Sequence, residues 1–268
     1  MTPVVLLHAS GSAGTQWRGL AARLAPSFRV FAPDLIGYGR TPPWSGRADS
    51  FTLAHEAALV GALLARLDAP AHLVGHSYGG AVALHVARTR PEWVRSLTLV
   101  EPLAFHLLRD GDAVDLAALR EIQRLAATVF RALELDNPRK GFGRFVDYCG
   151  GAGTWAVMEE ARRASLAPLL GKVALDFQAV LGESGGRAAL RDIAAPTLVV
   201  QAEHAPLAMR RICRLLASGV PGARLAMARG AGRLLAPAPW EEADALIEQH
   251  LRGGPSTFAP VAAQPIAA

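Results

Sequence analysis

Apolar residues along this chain fall into two alternating patterns. Short, nearly continuous apolar runs recur at residues 4–7, 29–32, 72–74, 96–100, 196–200 and 223–227. Each has the length of a β-strand. Between them lie longer stretches of helical periodicity at residues 17–24, 52–67, 80–90, 207–217 and 240–251. Strands that are apolar along their whole length are buried on both faces. The alternation therefore predicts an α/β fold with a mostly parallel central sheet and helices on both faces. Right-handed crossovers then gather the strand C-terminal ends on one edge, where ligands bind.

One segment breaks the alternation. Between residues 105 and 183 no run reads as a strand, and helical patterns follow one another at 114–135, 143–148, 155–164 and 170–181. An insertion of that size between two sheet strands predicts a helical cap over the strand ends. The expected division is core from 1 to 104, cap from 105 to 185, core again from 186 to 252, and a disordered tail from 253 to 268. The tail opens Gly253-Gly-Pro-Ser-Thr-Phe-Ala-Pro260, which has little to bury.

Composition narrows the class. Hydrophobic residues make up 51% of the 268 positions, as in a globular chain able to bury one large core. No run reads as long enough to span a bilayer, and the start, Met1-Thr-Pro-Val-Val-Leu-Leu-His8, lacks the basic opening of a signal peptide. A cytoplasmic protein is expected. The net charge of +5 comes almost entirely from arginine, since Lys140 and Lys172 are the only lysines. The arginines are scattered with no run longer than two, which argues against nucleic acid as a partner. Cys149 and Cys213 lack metal-ligand spacing and read as thiols of a reducing compartment, with Cys149 a possible pocket residue. No pattern implies a metal or a cofactor; the expected partner is a small-molecule substrate.

Chemistry concentrates at residues 71–80, Ala-His-Leu-Val-Gly75-His76-Ser77-Tyr78-Gly79-Gly80. An apolar run, a Gly-x-Ser-x-Gly turn and a helical stretch follow in order. A strand turning sharply into a helix at Ser77 exposes its hydroxyl at the top of the sheet, as a nucleophile requires. The glycines admit the backbone approach that such a turn forces. The first N–H of the helix, on Tyr78, then points at an oxygen bound to the serine's target.

With these elements in order, the chain resembles the α/β-hydrolase superfamily over almost its whole length. Leu6-Leu7-His8-Ala9-Ser10-Gly11-Ser12, followed by Trp17, is similar to the oxyanion loop. Asp34-Leu-Ile-Gly37-Tyr-Gly39-Arg-Thr41 resembles the Asp-x-x-Gly-x-Gly-x-Ser stretch after the next strand. Gly75–Gly79 resembles the nucleophile elbow, and 196–200 the strand re-entering the sheet after the cap. The resemblance implies Ser77 as nucleophile and the N–H groups of Tyr78 and Ser10 as the oxyanion hole.

The chain departs from the pattern in the oxyanion loop, where Ala9 replaces the usual Gly, and at two catalytic positions. Ala205 stands where the family carries its acid, and Arg233 where it carries its histidine. Some members place the acid after the preceding strand, where Glu101 lies. Arginine stays protonated at neutral pH and cannot take the serine proton. His204, on the loop after a strand, is the surrogate base nominated here, with His106 behind it. His8 and His76 are expected to hydrogen-bond locally; His55, His72, His85 and His250 read as helix-face or strand-start residues. Arg233, Tyr148 and Trp155 are expected at the substrate pocket, and Phe142, Phe145 and Met158 read as apolar cap residues lining it or packing its core.

The expected activity is on a small, largely apolar carbonyl, ester or thioester, with weak ordinary hydrolysis. Two alternatives stay open: a cyclase- or lyase-type reaction on the same fold, and a ligand-binding homologue without catalysis.

Overall fold

Apolar strands at the middle of a sheet must find partners on both edges, and here they do. The structure is a computed structural model, which describes residues 1–229 and 241–253. Among these residues six strands form one sheet: β1 (Pro3–Leu7), β2 (Arg29–Phe31), β3 (Ala71–His76), β4 (Val94–Val100), β5 (Thr197–Ala202) and β6 (Arg224–Ala228). Their order is β2-β1-β3-β4-β5-β6, and every pairing is parallel. All residues of β1, β3 and β5 are buried, whereas the edge strand β2 is only partly covered.

Helices α1 (Arg18–Leu24), α2 (Leu53–Leu64) and α3 (Tyr78–Thr89) connect the first four strands. Between β4 and β5 the chain is helical: α4 (Ala113–Glu134), α5 (Pro138–Gly150), α6 (Thr154–Val157), α7 (Glu160–Leu166) and α8 (Leu170–Gly182). The helix expected over 155–164 is two helices, because Met158 is extended at φ −71°, ψ 140° and breaks the ladder. The helix expected over 143–148 is a longer one. Pro138 occupies its first turn and Asn137 caps it by accepting the Lys140 N–H. Helices α9 (Leu207–Gly219) and α10 (Glu241–Leu251) complete the described chain.

The buried carboxylate of Asp115 on α4 pairs with Arg187 and with Arg211 of α9, which pins the helical segment to the sheet side. A helical run, Glu160–Gly182, corrects the expectation about membrane-length segments. By length and composition it could span, with an 18-residue window of mean hydropathy 1.3, but half of that window is buried inside the fold, as in a core helix. Residues 254–268, nearly all of the expected tail, lie outside the described residues.

The sheet register decides where the site forms. Leu7 pairs with Gly75, His76 with Val100, and Val100 with Val200. The residues that follow these strand ends, 8–10, Ser77, Glu101 and 203–205, therefore emerge on the same edge.

Several histidines are buried and neutral. His106 is 4% exposed, and neither ring nitrogen has a hydrogen-bond partner among the described residues. Burial, opposed in part by Glu183, pushes its pKa down to about 4. Between the unfolded value of 6.5 and about 4, the unfolded chain binds a proton here that the native state refuses. This ring's contribution to stability is thus present above pH 6.5 and lost as pH falls, by about 1.4 kcal/mol per pH unit. Asp244, raised by burial to about 6, acts in the opposite direction. Urea denaturation of the wild type and His106→Leu at pH 7, 6 and 5 should show the variant gaining relative stability as pH falls. An unchanged difference between the two across that range would contradict the buried neutral ring.

Candidate active site

Ser77 carries a constrained backbone at the strand C-terminal edge. Its φ of 55° and ψ of −115° lie where side-chain-bearing residues are rare. Its N–H donates to the Val100 carbonyl at 2.9 Å, and its carbonyl accepts from Gly80, Ala81 and Leu103. The turn is thus bound to β4 on one side and α3 on the other. A Cβ at Gly75 would lie 2.3 Å from the Gly79 carbonyl oxygen, and one at Gly79 would lie 2.4 Å from that of Leu7. Both clashes are with backbone, so only glycine fits.

The loop after β1 is tied down from several directions. His8 Nδ1–H donates to the Ala9 carbonyl at 2.8 Å, and its Nε2 accepts the Leu35 N–H at 3.0 Å. Burial lowers its pKa, which suits this neutral, doubly bonded ring. Gln16 bridges two neighbours: Oε1 accepts the Ala9 N–H, and Nε2 donates to His76 Nδ1. Ser10 Oγ donates to Asp176 on α8 at 2.6 Å. The Asp34 carboxylate accepts the N–H groups of Gly14 and Arg40, which outweigh its burial and hold it below the usual carboxylate range.

These elements surround a small cavity of about 30 Å³, room for about two waters. Ser10, Ser77, His76, Glu101, Tyr148 and Cys149 line it, with apolar groups of Phe145, Leu103 and Met209. Burial drives His76 down to about 3, with His8 adding to the effect, so it stays neutral beside Ser77. Glu101 is 7% exposed, has φ 44°, and accepts the Ala202 N–H through Oε1.

Ser77, Ser10, Glu101 and Tyr148 thus come together at one cavity, as does Cys149. The first N–H of α3 belongs to Tyr78; its side chain turns away, and its hydroxyl donates to Glu56. Trp155 does not line the cavity. Its ring packs 6.0 Å from Phe142 and against Gly143, and its backbone N–H donates to the Asp147 carboxylate within the helical segment. His204 is exposed and is not among the cavity residues. The β5 loop turns it outward while Ala205 is the buried position. His106 is buried but is not among the cavity residues; the charged and titratable groups acting on it are Glu183, Arg88, Arg109 and His85. Arg233 lies outside the described residues.

A family model described as the alpha/beta hydrolase fold matches residues 2–236. The chain belongs to this family. Among curated relatives, a lipase of Mycobacterium tuberculosis, LipV, is 40% identical over 102 residues, 37% of this chain and 36% of the lipase. A pimeloyl-[acyl-carrier protein] methyl ester esterase of Aeromonas salmonicida is 38% identical over 40% of each chain. A 2-hydroxy-6-oxo-2,4-heptadienoate hydrolase of Pseudomonas putida is 40% identical over 42% of each. The chain therefore spans well under half the length of these relatives. Among solved structures, MenH from S. aureus superimposes with a TM-score of 0.74 at 18% identity, covering 94% of both chains. An alpha/beta hydrolase from Sphaerobacter thermophilus gives 0.70 at 23% identity over 92% of this chain and 91% of the other. At such identities these structures bear on the fold.

Sequence reading missed Gln16, Glu56, Tyr38, Lys172 and Asp176. A signal was available: Lys172 and Asp176 are i,i+4 charged residues in an otherwise apolar stretch of α8, and Lys172 is one of two lysines.

The turn at Ser77 makes a direct prediction. Gly79→Ala should destabilise the protein by several kcal/mol or abolish folding, because backbone carbonyls cannot retreat. Gly171→Ala, in α8 with open space where the Cβ would stand, should be neutral or stabilise by up to about 1 kcal/mol. Parallel urea melts decide; a Gly79→Ala variant as stable as wild type would contradict the turn geometry.

Proposed function

We propose that this chain is an α/β-hydrolase-fold enzyme acting on a small, largely apolar carbonyl, ester or thioester substrate. Ser77 is the nucleophile, the N–H groups of Tyr78 and Ser10 form the oxyanion hole, and residues 105–185 cap the cavity. The observation that carries this reading is Ser77 held at positive φ at a strand–helix junction on the wall of a cavity. A strained backbone of this kind costs on the order of 1–3 kcal/mol, and such strain clusters at functional sites. The relatives named as a lipase, a methyl ester esterase and a hydrolase support acyl chemistry as the class.

In this mechanism the substrate carbonyl carbon meets Ser77 Oγ while its oxygen lies against the two backbone N–H groups. Charge developing on that oxygen is met by donors that need no reorganisation. Proton removal is the weak step. His76 is too poor a base with its pKa near 3, and both nitrogens of His8 are occupied by backbone bonds. The triad acid and histidine positions carry Ala205 and Arg233. Glu101, on the same wall, is the carboxylate left to accept the proton or orient water. A complete triad contributes far more rate than an oxyanion hole alone, so turnover of simple esters is slow. Pocket roles for Tyr148 and Arg233, and a cytoplasmic setting, belong to the same proposal.

A second reading has one observation in its favour. His76 is the histidine among the described cavity residues, and it is held neutral by burial. A ligand-binding protein that retains the fold without catalysis would carry such a site.

The two readings part in one experiment. Incubation with an activated fluorophosphonate, followed by mass spectrometry, should give one adduct on Ser77, absent in Ser77→Ala. Nitrophenyl ester turnover should fall at least about a thousandfold below that of a complete triad, and Arg233→His should raise it tenfold or more. No adduct on wild-type Ser77 would favour the binding reading.

A further inference from the structure

Beneath the loop that carries Ser10 lies a group of charges fully inside the protein. Lys172 on α8 contacts Glu56 of α2 at 2.9 Å and also Asp176, one helical turn along. Glu56 is 0% exposed, Asp176 1% and Lys172 8%. The ammonium lies 4.6–4.9 Å from the ring centroids of Tyr78, Phe51 and Tyr38.

Each member is satisfied by a different part of the chain. Asp176 Oδ2 accepts the hydroxyls of Ser10 and Tyr38, both at 2.6 Å, and Oδ1 meets Lys172. Glu56 Oε1 accepts from Lys172 and the Tyr78 hydroxyl, and Oε2 from the Ile36 N–H. The Lys172 stem passes Gly37, where a Cβ would stand 3.3 Å from Cδ. Stability alone does not require this arrangement. Buried ion groups are often no more stabilising than apolar residues of the same volume, and are retained where they specify geometry. What they touch here is Ser10 on one side and Tyr78 on the other.

We propose that Asp176 and Lys172 are positioning residues of the Ser77 site. Asp176 holds Ser10, and with it the oxyanion loop, in place; Lys172 locks Asp176 to Glu56 and so joins α8 to both donors of the oxyanion hole. The part that concerns catalysis rests on the function proposed above. The part that concerns the loop does not. Movement of α8 away from the sheet would withdraw the Ser10 partner, so the oxyanion loop is complete only when the helical segment is seated.

The closing experiment has two readouts on Asp176→Asn and Ser10→Ala. One is hydrogen exchange by mass spectrometry on peptides covering residues 8–16; the other is the second-order rate of fluorophosphonate labelling of Ser77. Asp176→Asn removes one of two carboxylates and leaves a neutral Glu56–Lys172 pair, so the fold should survive; Lys172→Met leaves two facing carboxylates and serves as the folding-sensitive comparison. Both test variants should exchange at least threefold faster at 8–16, with the β3 and β4 peptides unchanged. Both should label roughly tenfold to a hundredfold more slowly. The double variant should lose no more than Ser10→Ala alone, because Asp176→Asn acts on Ser10 by weakening the charge-assisted bond that Ser10→Ala removes. Unchanged exchange at 8–16 in Asp176→Asn, or additive losses in labelling, would overturn the proposal. Faster exchange with no labelling even in the wild type would sustain the loop assignment and defeat the nucleophile reading.

Discussion

The close approach of α3 to the ends of β1 and β4 is the constraint on which the rest of the site depends. Gly79 passes so near the Leu7 and His8 carbonyls that its N–H bonds to His8, and Ser77 bonds to Val100 across the next strand. Three backbone segments are thereby fixed relative to one another before any side chain is considered. The loop after β1 then has a defined starting point, and the serine a defined direction. The strain at Ser77 persists because the hydrogen bonds around it over-determine the turn.

Electrostatics at this edge are set by burial. His76 and His8 are both kept neutral, one by burial and one by burial against two backbone bonds. Beneath them, the full charges of Glu56, Lys172 and Asp176 are tolerated because hydroxyls, a backbone N–H and aromatic faces complete their coordination. The described lining of the cavity therefore combines a buried neutral imidazole, His76, with the hydroxyls of Ser10 and Ser77 and the Glu101 carboxylate. The same edge meets the helical segment through Asp176, so the part of the chain that breaks strand–helix alternation also takes part in the geometry of the loop after β1.

The fold class was legible because its cause is local. Runs such as Val4–Leu7 are apolar at every position only when both faces are covered, and the parallel sheet follows from helices lying between them. The strained turn at Ser77 was legible for the same reason: glycine at 75 and 79 and a serine between them reflect a backbone approach confined to a few residues. Element boundaries shifted where a local detail intervened, as at Met158, where extended backbone divides one expected helix into two.

Which side chains face the serine was not local. His204 sits on the expected loop, yet the last turn after β5 buries Ala205 and sends His204 to solvent; Trp155 reads as a pocket aromatic, yet Phe142 claims its ring. Asp176 and Ser10 are 166 residues apart, and nothing near either one announces the other. The amino-acid sequence by itself determined the sheet and the strained turn, because each follows from periodicity or from residue type at a fixed spacing. Only the tertiary structure decided which polar groups share the cavity and which carboxylate holds the loop after β1. Contacts between distant segments depend on how α8 seats against the strand ends, and side-chain direction there is set by packing rather than by neighbours along the chain.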